Sequence, residues 1–277
     1  MSTYNRDMTA YTPDDEHLLL WNSKFKVNRA DNNCYCSVGY KNHHWLSNTI
    51  SFRIKSLTFT NLFPNVYGGF INLYARNVAT PTVLDTLVIP ADNYETTAEL
   101  DTAVAAVLQA AYGGTVTVLT NAKGYMSIST TGAAFHIMDA WEIDQAVKVS
   151  CSLNNIIGMT HATSLASAST PYTMLAPVNL AGVRRIRVGS TTAGSSHSVH
   201  ANGDNGDIIA SVSLDGSAYG SVVSREWESS GNVACYFRDS RDCVTVDIHV
   251  VDEYDQLLSL PGNSDLDIEF IVSSRIP

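Results

Sequence analysis

Val244-Thr245-Val246-Asp247-Ile248-His249-Val250 and Leu266-Asp267-Ile268-Glu269-Phe270-Ile271-Val272 are the stretches on which the fold turns. In the first, Val244, Val246, Ile248 and Val250 alternate with Thr245, Asp247 and His249. In the second, Leu266, Ile268, Phe270 and Val272 alternate with Asp267, Glu269 and Ile271. Side chains on an extended backbone point to opposite faces in turn, so a period of two predicts strands with one buried face. Asp252 to Asp255 and Pro261 to Asp265, between them, read as turns.

The same period recurs upstream. Ile208, Ala210, Val212 and Leu214 share a face, and Val233 to Phe237 and Val183 to Val188 are strand-like. Ile50, Phe52 and Ile54 alternate with Ser51, Arg53 and Lys55, after which the apolar phase moves to Leu57 and Phe59. A one-residue slip reverses the faces, which predicts a bulge or a change of sheet near Ser56. Phe70 to Ala75, Val83 to Ile89, Phe135 to Met138 and Ala146 to Cys151 are further strand candidates. Val116 to Leu119 and Tyr125 to Ser129 flank a Gly-containing loop of hairpin length. Only one segment changes period. Thr96 stands three residues before Glu99, a capping-box spacing, and Leu100, Val104, Val107, Leu108 and Ala111 follow at helical spacing until Gly113-Gly114. The remaining long intervals, Asn154 to Pro177 and Ser190 to Asp207, read as surface connections. Nine to eleven short strands with one helix place the chain among antiparallel β-sandwiches rather than doubly wound α/β sheets, which need helices between most strands.

Composition narrows the function. Of 277 residues 45% are hydrophobic and only 16% charged, against roughly 25% charged in a typical globular chain. Both an assembled protein, whose outer faces are covered by neighbours, and a neutral Thr-rich monomer fit that profile. A formal charge of −10 argues against broad nucleic-acid binding, which draws affinity from neutralised phosphates. Arg184, Arg185 and Arg187 form the best local basic patch and read as strand residues facing solvent or acidic neighbours. The first twenty residues lack a signal-peptide pattern, and no stretch approaches the ~20 apolar residues of a membrane span. A chain neither secreted by that route nor membrane-spanning is therefore expected. The five cysteines, Cys34, Cys36, Cys151, Cys235 and Cys243, are odd in number and irregularly spaced, so reduced thiols are expected. Cys34 and Cys36 with His43 and His44 suggest a metal site, but C-x-C followed by adjacent histidines is not a strong zinc spacing.

No phosphate loop, nucleophile elbow or helix-borne histidine pair is present. No catalytic, cofactor-binding or metal-ligating residues are assigned and no cofactor is expected. Asp252, Glu253 and Asp255 read as a solvated turn in preference to an acid–base pair or calcium site, and Asp204 and Asp207 as turn residues. His136, His161, His197, His200 and His249 are scattered. Tyr172 and Tyr219 suit protein contacts if exposed. Residues 1–48 lack a regular period and read as an amino-terminal arm, extended or ordered by partners, with residues 49–277 as a single domain. Within the arm, Trp21, Phe25, Tyr35 and Trp45 are the candidate assembly contacts.

One ordered series of segments carries a family likeness. Ile50 to Tyr67 is an early strand with an aromatic turn. Ile89-Pro90-Ala91-Asp92-Asn93-Tyr94 looks like an "IP-x-G-x-Y" lead into a helix opening on Glu-Leu, here Glu99-Leu100. Val116 to Leu119 with Tyr125 to Ser129 resembles a "T-x-x-Y…G-x-x-x-I" segment, and Asn155-Ile156-Ile157-Gly158-Met159 an "LLGF" element. Val178 to Val188 resembles an "NL-x-G…I-x-I" strand. Val246 to Glu253, with the run to Phe270, resembles a terminal "I-x-I-x-L-x-D-E-x-G…F-x-L-x-F" pair. Asp92 stands where Gly is usual, and Tyr254-Asp255 replaces an Asn-Gly turn. Over about residues 50–272 the chain thus resembles the single-jelly-roll minor capsid and penton proteins of double-stranded DNA viruses, including virophages, polinton-like viruses and large algal or amoebal viruses.

That resemblance implies an all-β, antiparallel β-sandwich of jelly-roll type with one inserted α-helix, about 96–112. It implies a structural virion protein, a penton or minor capsid component, and no enzyme. Partners would be copies of itself, possibly five, with the major capsid protein and other minor capsid proteins, and without direct nucleic-acid binding. The chain would be made in the host cytoplasm and reside in the capsid. A jelly-roll spike or lectin-like module binding host glycans is the alternative expectation.

Overall fold

The computed structural model describes residues 15–25, 35–39, 49–159, 172–191, 208–227, 235–241, 245–258 and 265–274, and divides into two compact units. The first comprises residues 1–62, 185–251 and 257–277. Its centre is β15 (Leu266–Ser274), whose Leu266, Ile268, Phe270 and Val272 are all buried, as their alternation requires. β15 lies between β1 (Asp15–Asn22) and β3 (Thr49–Thr60), antiparallel to both. Along β3, Glu269 faces Ser56 while Phe270 faces Ile54. Lys55 is thus the extra residue of a bulge, which accounts for the apolar phase change seen near Ser56. β12 (Val222–Glu226) and β13 (Cys235–Arg241) both pair with β3 and complete this sheet.

The second sheet runs β11 (Ile208–Ser213), β10 (Arg185–Gly189), β14 (Thr245–Val251), β2 (Tyr35–Gly39). The pairings are nested: β1 with β15, β2 with β14, β3 with β12 and β13, and β10 with β11. A ribbon of antiparallel pairs folded over into two sheets is a jelly roll, and this strand order assigns the fold without reference to any other protein. β14 and β15, adjacent in sequence, fall in different sheets.

The strands β1 and β2 lie within residues 1–48, the stretch expected to form an arm extended or ordered by partners. Leu19 and Trp21 point into the sandwich while Leu18 and Leu20 point out, so four consecutive apolar residues are a half-buried edge strand. The Trp21 Nε1 donates to the Val246 carbonyl at 3.0 Å, and the Leu266 N–H donates to the Ser23 hydroxyl at 2.9 Å. The indole thus removes a large apolar surface from water while its N–H keeps a hydrogen-bond partner.

The second unit comprises residues 63–184 with 252–256. A sheet of β5 (Asp85–Val88), β4 (Asn72–Asn77) and β8 (Phe135–Ile137) forms its middle. On one face packs α1 (Thr97–Tyr112), whose Tyr112 stacks on Phe135 at 4.6 Å and donates to Asp85 at 2.7 Å. On the other face, α2 (Ala140–Val147) packs Ile143 with Tyr74 and Met138. There too the Asn154 amide of α3 (Leu153–Ile156) bonds the backbone of Tyr74 and Met138. The expected hairpin is present as β6 (Val116–Thr120) and β7 (Met126–Thr130), extended by β9 (Tyr172–Thr173). Asp101 of α1 accepts the Thr120 N–H and hydroxyl, each at 2.7 Å, tying helix to hairpin.

Helix α1 begins as expected. The Thr96 hydroxyl accepts the Glu99 N–H, and the Glu99 carboxylate accepts the N–H groups of Thr96 and Glu95. Leu100, Val104, Leu108 and Tyr112 form its buried stripe, with Val107 and Ala111 outside it. Thr96→Ala is expected to lower stability by about 1 kcal/mol and Thr96→Ser to leave it nearly unchanged, read from urea unfolding midpoints. The helix count differs from the sequence reading: α2 ends where a strand from Ala146 was expected, and Asn154 is buried rather than at the start of a surface loop.

Candidate functional site

Of the expected assembly contacts, Trp21 is 1% exposed and belongs to the sandwich core. Phe25 ends a short 3-10 turn, Ser23–Phe25, and Tyr35 begins β2, opposite His249. Trp45 lies outside the described residues, as do His43, His44, His161, His197, His200, Asp204 and Asp207. Exposed large apolar side chains among the described residues include Leu18 and Leu20 on β1, Leu119 on β6, Trp141 on α2 and Val222 on β12. Arg185 and Arg187 sit on β10, with Arg184 just before it. Among the described residues no three His, Cys, Asp or Glu side chains are grouped for a metal, and no helix is long and apolar enough to cross a membrane.

The acidic turn after β14 is a hub rather than a solvated loop. Asp252 is 0% exposed. Its carboxylate accepts the Tyr67 hydroxyl at 2.7 Å, the Tyr254 N–H at 2.7 Å, the Gln256 N–H at 2.8 Å and the Gln256 side-chain amide at 3.1 Å. A buried charge is tolerated when its lone pairs are filled in this way. The Asp252–Tyr254 bond is an Asx turn, which bends the chain and brings Asp255 to a positive φ of 62°. Gln256 in turn accepts the Gly69 N–H at 2.6 Å. Local sequence showed the turn. It could not show the burial, because the Tyr67 partner lies 185 positions away.

Beside this hub, within the second unit, opens a cavity of about 150 Å³. Phe70 and Tyr254, in edge contact at 5.4 Å, wall one side. Asn155, Asn179, Arg184 and Glu253 contribute polar groups. Gly182 also borders it at a φ of +64°, with the Asn65 backbone so close that a Cβ would sit 3.1 Å from its Cα. The volume is about half the ~300 Å³ lower end of drug-sized ligand pockets and holds one ring or about five waters at ~30 Å³ each. Sequence reasoning missed the site because its residues come from segments around 65–70, 155–156, 179–184 and 253–254. All of these residues but Phe70 fall within segments singled out for family likeness, and nothing in those separate segments showed that they meet.

Two further buried groups look reactive and are structural. His136 Nε2 lies 2.7 Å from Glu142 Oε2, the same carboxylate oxygen that caps α2 by accepting the Asp139 N–H at 3.0 Å. Burial pushes the Cys151 thiol above its ordinary pKa, which suppresses the thiolate needed for nucleophilic attack.

Burial, then the neighbouring carboxylate, raises the pKa of the Tyr67 and Tyr112 hydroxyls well above the ordinary 10.0. Unfolded tyrosine ionises from pH 10 upward while these two stay protonated in the fold. The stability they carry is therefore complete below pH 10 and is lost as pH climbs from there toward the raised folded values. Each is expected to contribute a fall of about 1.4 kcal/mol per pH unit. Urea unfolding at pH 9 to 11.5 checks this, and Tyr67→Phe should remove one share of the slope.

No family model matches the chain, and no curated protein matches it in sequence. Among solved structures it is similar to the mavirus penton protein, at 10% identity and a TM-score of 0.46, with 94% of this chain and 100% of that chain covered. It is also similar to a chain in the cryo-electron microscopy structure of the Sputnik virophage, at 10% identity and a TM-score of 0.43, covering 94% of this chain and 98% of that one. At these values the nested strand pairing, not the likeness, assigns the fold.

Proposed function

We propose that the chain is a structural virion protein, a penton or minor capsid component, which builds an icosahedral shell through contacts with copies of itself and with a major capsid protein. One observation carries the reading: the family-like segments of the sequence fall, in order, on regular elements of the two units, and the last of them on long strands of the jelly roll. Ile89 to Tyr94 leads from β5 into α1, Val116 to Ser129 spans the β6–β7 hairpin, and Asn155 to Met159 closes α3. Val246 to Val250 and Leu266 to Val272 are the long strands β14 and β15.

The low charged fraction, 16%, supports a surface meant to be covered. So do Leu18, Leu20 and Val222, which stand out from the sandwich on strands of one sheet. A closed ring at a shell vertex needs head-to-tail interfaces between identical subunits, and five copies fit a vertex. Such a chain acts by shape and contact, without catalysis, in the capsid after synthesis in the host cytoplasm. Light scattering of the purified chain tests the assembly: a closed multiple of the 30.0 kDa subunit is expected. A strictly monomeric chain at tens of micromolar, with or without a major capsid protein, would overturn the proposal.

A further inference from the structure

The cavity beside Asp252 offers a ligand donors rather than acceptors. Asn65 is engaged at both ends of its amide, by the Tyr94 N–H at 2.9 Å and with the Tyr94 carbonyl at 2.8 Å. Asn155 likewise meets the Ser150 carbonyl at 3.1 Å and the Ser152 hydroxyl at 3.4 Å. The Tyr67 hydroxyl is given to Asp252, and the Glu253 carboxylate takes the Arg184 backbone N–H at 3.4 Å and has further contacts of its own. Three groups at the cavity are left without a partner among the described residues: the Arg184 guanidinium, the Asn179 amide nitrogen and the Tyr254 hydroxyl. The Asn179 oxygen is already held by the Ala181 N–H at 3.1 Å, and burial foremost raises the pKa of the Tyr254 hydroxyl, so both present a proton.

Such a set selects an acceptor, and the walls decide its kind. An inorganic anion or a bare carboxylate would answer Arg184 but leave the rings of Phe70 and Tyr254, in edge contact at 5.4 Å, without apolar contact. An ordinary peptide residue brings an N–H with its carbonyl, which adds a donor to a site already rich in them. Proline does not. It carries a carbonyl and an apolar ring and has no N–H. In an extended polyproline II segment the carbonyls have no internal partners, and the conformation is set before binding, which lowers the ordering cost. The room, about 150 Å³, admits one ring, and the half-exposed Tyr254 gives that ring a flat face.

We infer that this cavity docks one proline ring of an extended segment of a partner protein, the ring against Tyr254 and Phe70 and its flanking carbonyls hydrogen-bonded by Arg184, Asn179 and the Tyr254 hydroxyl. The turn after β14 is the positioning element, since Asp252 accepts the Tyr254 N–H at 2.7 Å and so fixes where that ring stands. The site goes beyond the assembly reading. A chain that assembles and binds no prolyl peptide contradicts only this inference, and a monomer that binds one contradicts only the other.

Saturation-transfer NMR on the full chain tests it, with the capped peptides acetyl-Ala-Pro-Ala-amide and acetyl-Ala-Ala-Ala-amide as probes and with methyl glucoside, acetate and inorganic phosphate as the sugar and anion arms. Transfer concentrated on the proline ring protons is expected, with a dissociation constant on the order of millimolar for so small a ligand. The all-alanine peptide should bind at least about five-fold more weakly, because its added N–H meets no free acceptor among the three groups that Arg184, Asn179 and Tyr254 turn to the ligand. Arg184→Ala should weaken the prolyl peptide about ten-fold, as the loss of a charge-assisted hydrogen bond does. Tyr254→Phe keeps the ring and removes only the hydroxyl, and a loss of about three-fold is expected. Leu119→Ala, on β6, should change nothing. No transfer to the prolyl peptide, equal binding of the alanine peptide, preference for the sugar or an anion, or binding insensitive to both Arg184→Ala and Tyr254→Phe overturns the inference.

Discussion

Asp252→Ala is expected to destabilise the second unit by about 3–5 kcal/mol, although it changes a residue in a five-residue turn. The carboxylate is fully buried and accepts four hydrogen bonds, one from the Tyr67 hydroxyl and three from Tyr254 and Gln256. Hydrogen bonds to a charged acceptor are worth roughly 1.5–3 kcal/mol each. Removing it also strands the buried Tyr67 hydroxyl and frees Gln256 from its hold on the Gly69 N–H. Asp252→Asn keeps the shape but replaces one acceptor oxygen with a donor, so a loss nearer 2 kcal/mol is expected. Hydrogen exchange read by peptide should show the opening in residues 63–75 and 252–256. A loss below 1 kcal/mol for Asp252→Ala would mean that solvent already reaches the carboxylate.

Phe270→Ala should cost about as much, ~3–5 kcal/mol, by a different route. Phe270 is fully buried at the middle of β15 and meets Phe52 edge-to-face at 5.7 Å. Truncation leaves a cavity in the sandwich and removes the aromatic pair. Its neighbour Ile271 lies on the outer face, half-buried, opposite Leu18 and Arg53. Ile271→Ala should therefore cost less than ~1.5 kcal/mol, and the contrast tests the register itself. Equal losses in the two variants would place β15 one residue out of step, since a single slip exchanges its faces.

What the sequence revealed depended on how local the cause was. β14 and β15 were legible because each buries one face continuously, and α1 because Thr96 and Glu99 cap each other within one turn. α2 carries the same reciprocal cap between Asp139 and Glu142. Its eight residues bury only Ile143, so no apolar stripe announced it. The run Leu18-Leu19-Leu20-Trp21 hid a strand for the opposite reason: leucines on both faces erase the period, and only the pairing with β15 shows which side is core.

The cavity was illegible in principle. Tyr254 and Phe70 meet across most of the chain length, and the identity of Asp252 as a buried anchor depends on a tyrosine 185 positions earlier. Trp21, named as a candidate assembly contact, is buried in the sandwich with its N–H satisfied, a placement that only the pairing of β1 with β15 reveals. The exposed apolar residues that remain, Leu18 and Leu20 on the same strand, are better placed for a neighbouring subunit.

The central claim, that the chain is a stoichiometric part of a viral shell, is tested most directly by quantitative peptide mass spectrometry of density-gradient-purified particles from its source. The account predicts that peptides of this chain co-sediment with the major capsid protein in a fixed ratio that survives salt washing. Recovery only in the soluble fraction, with none in the particles, would contradict it.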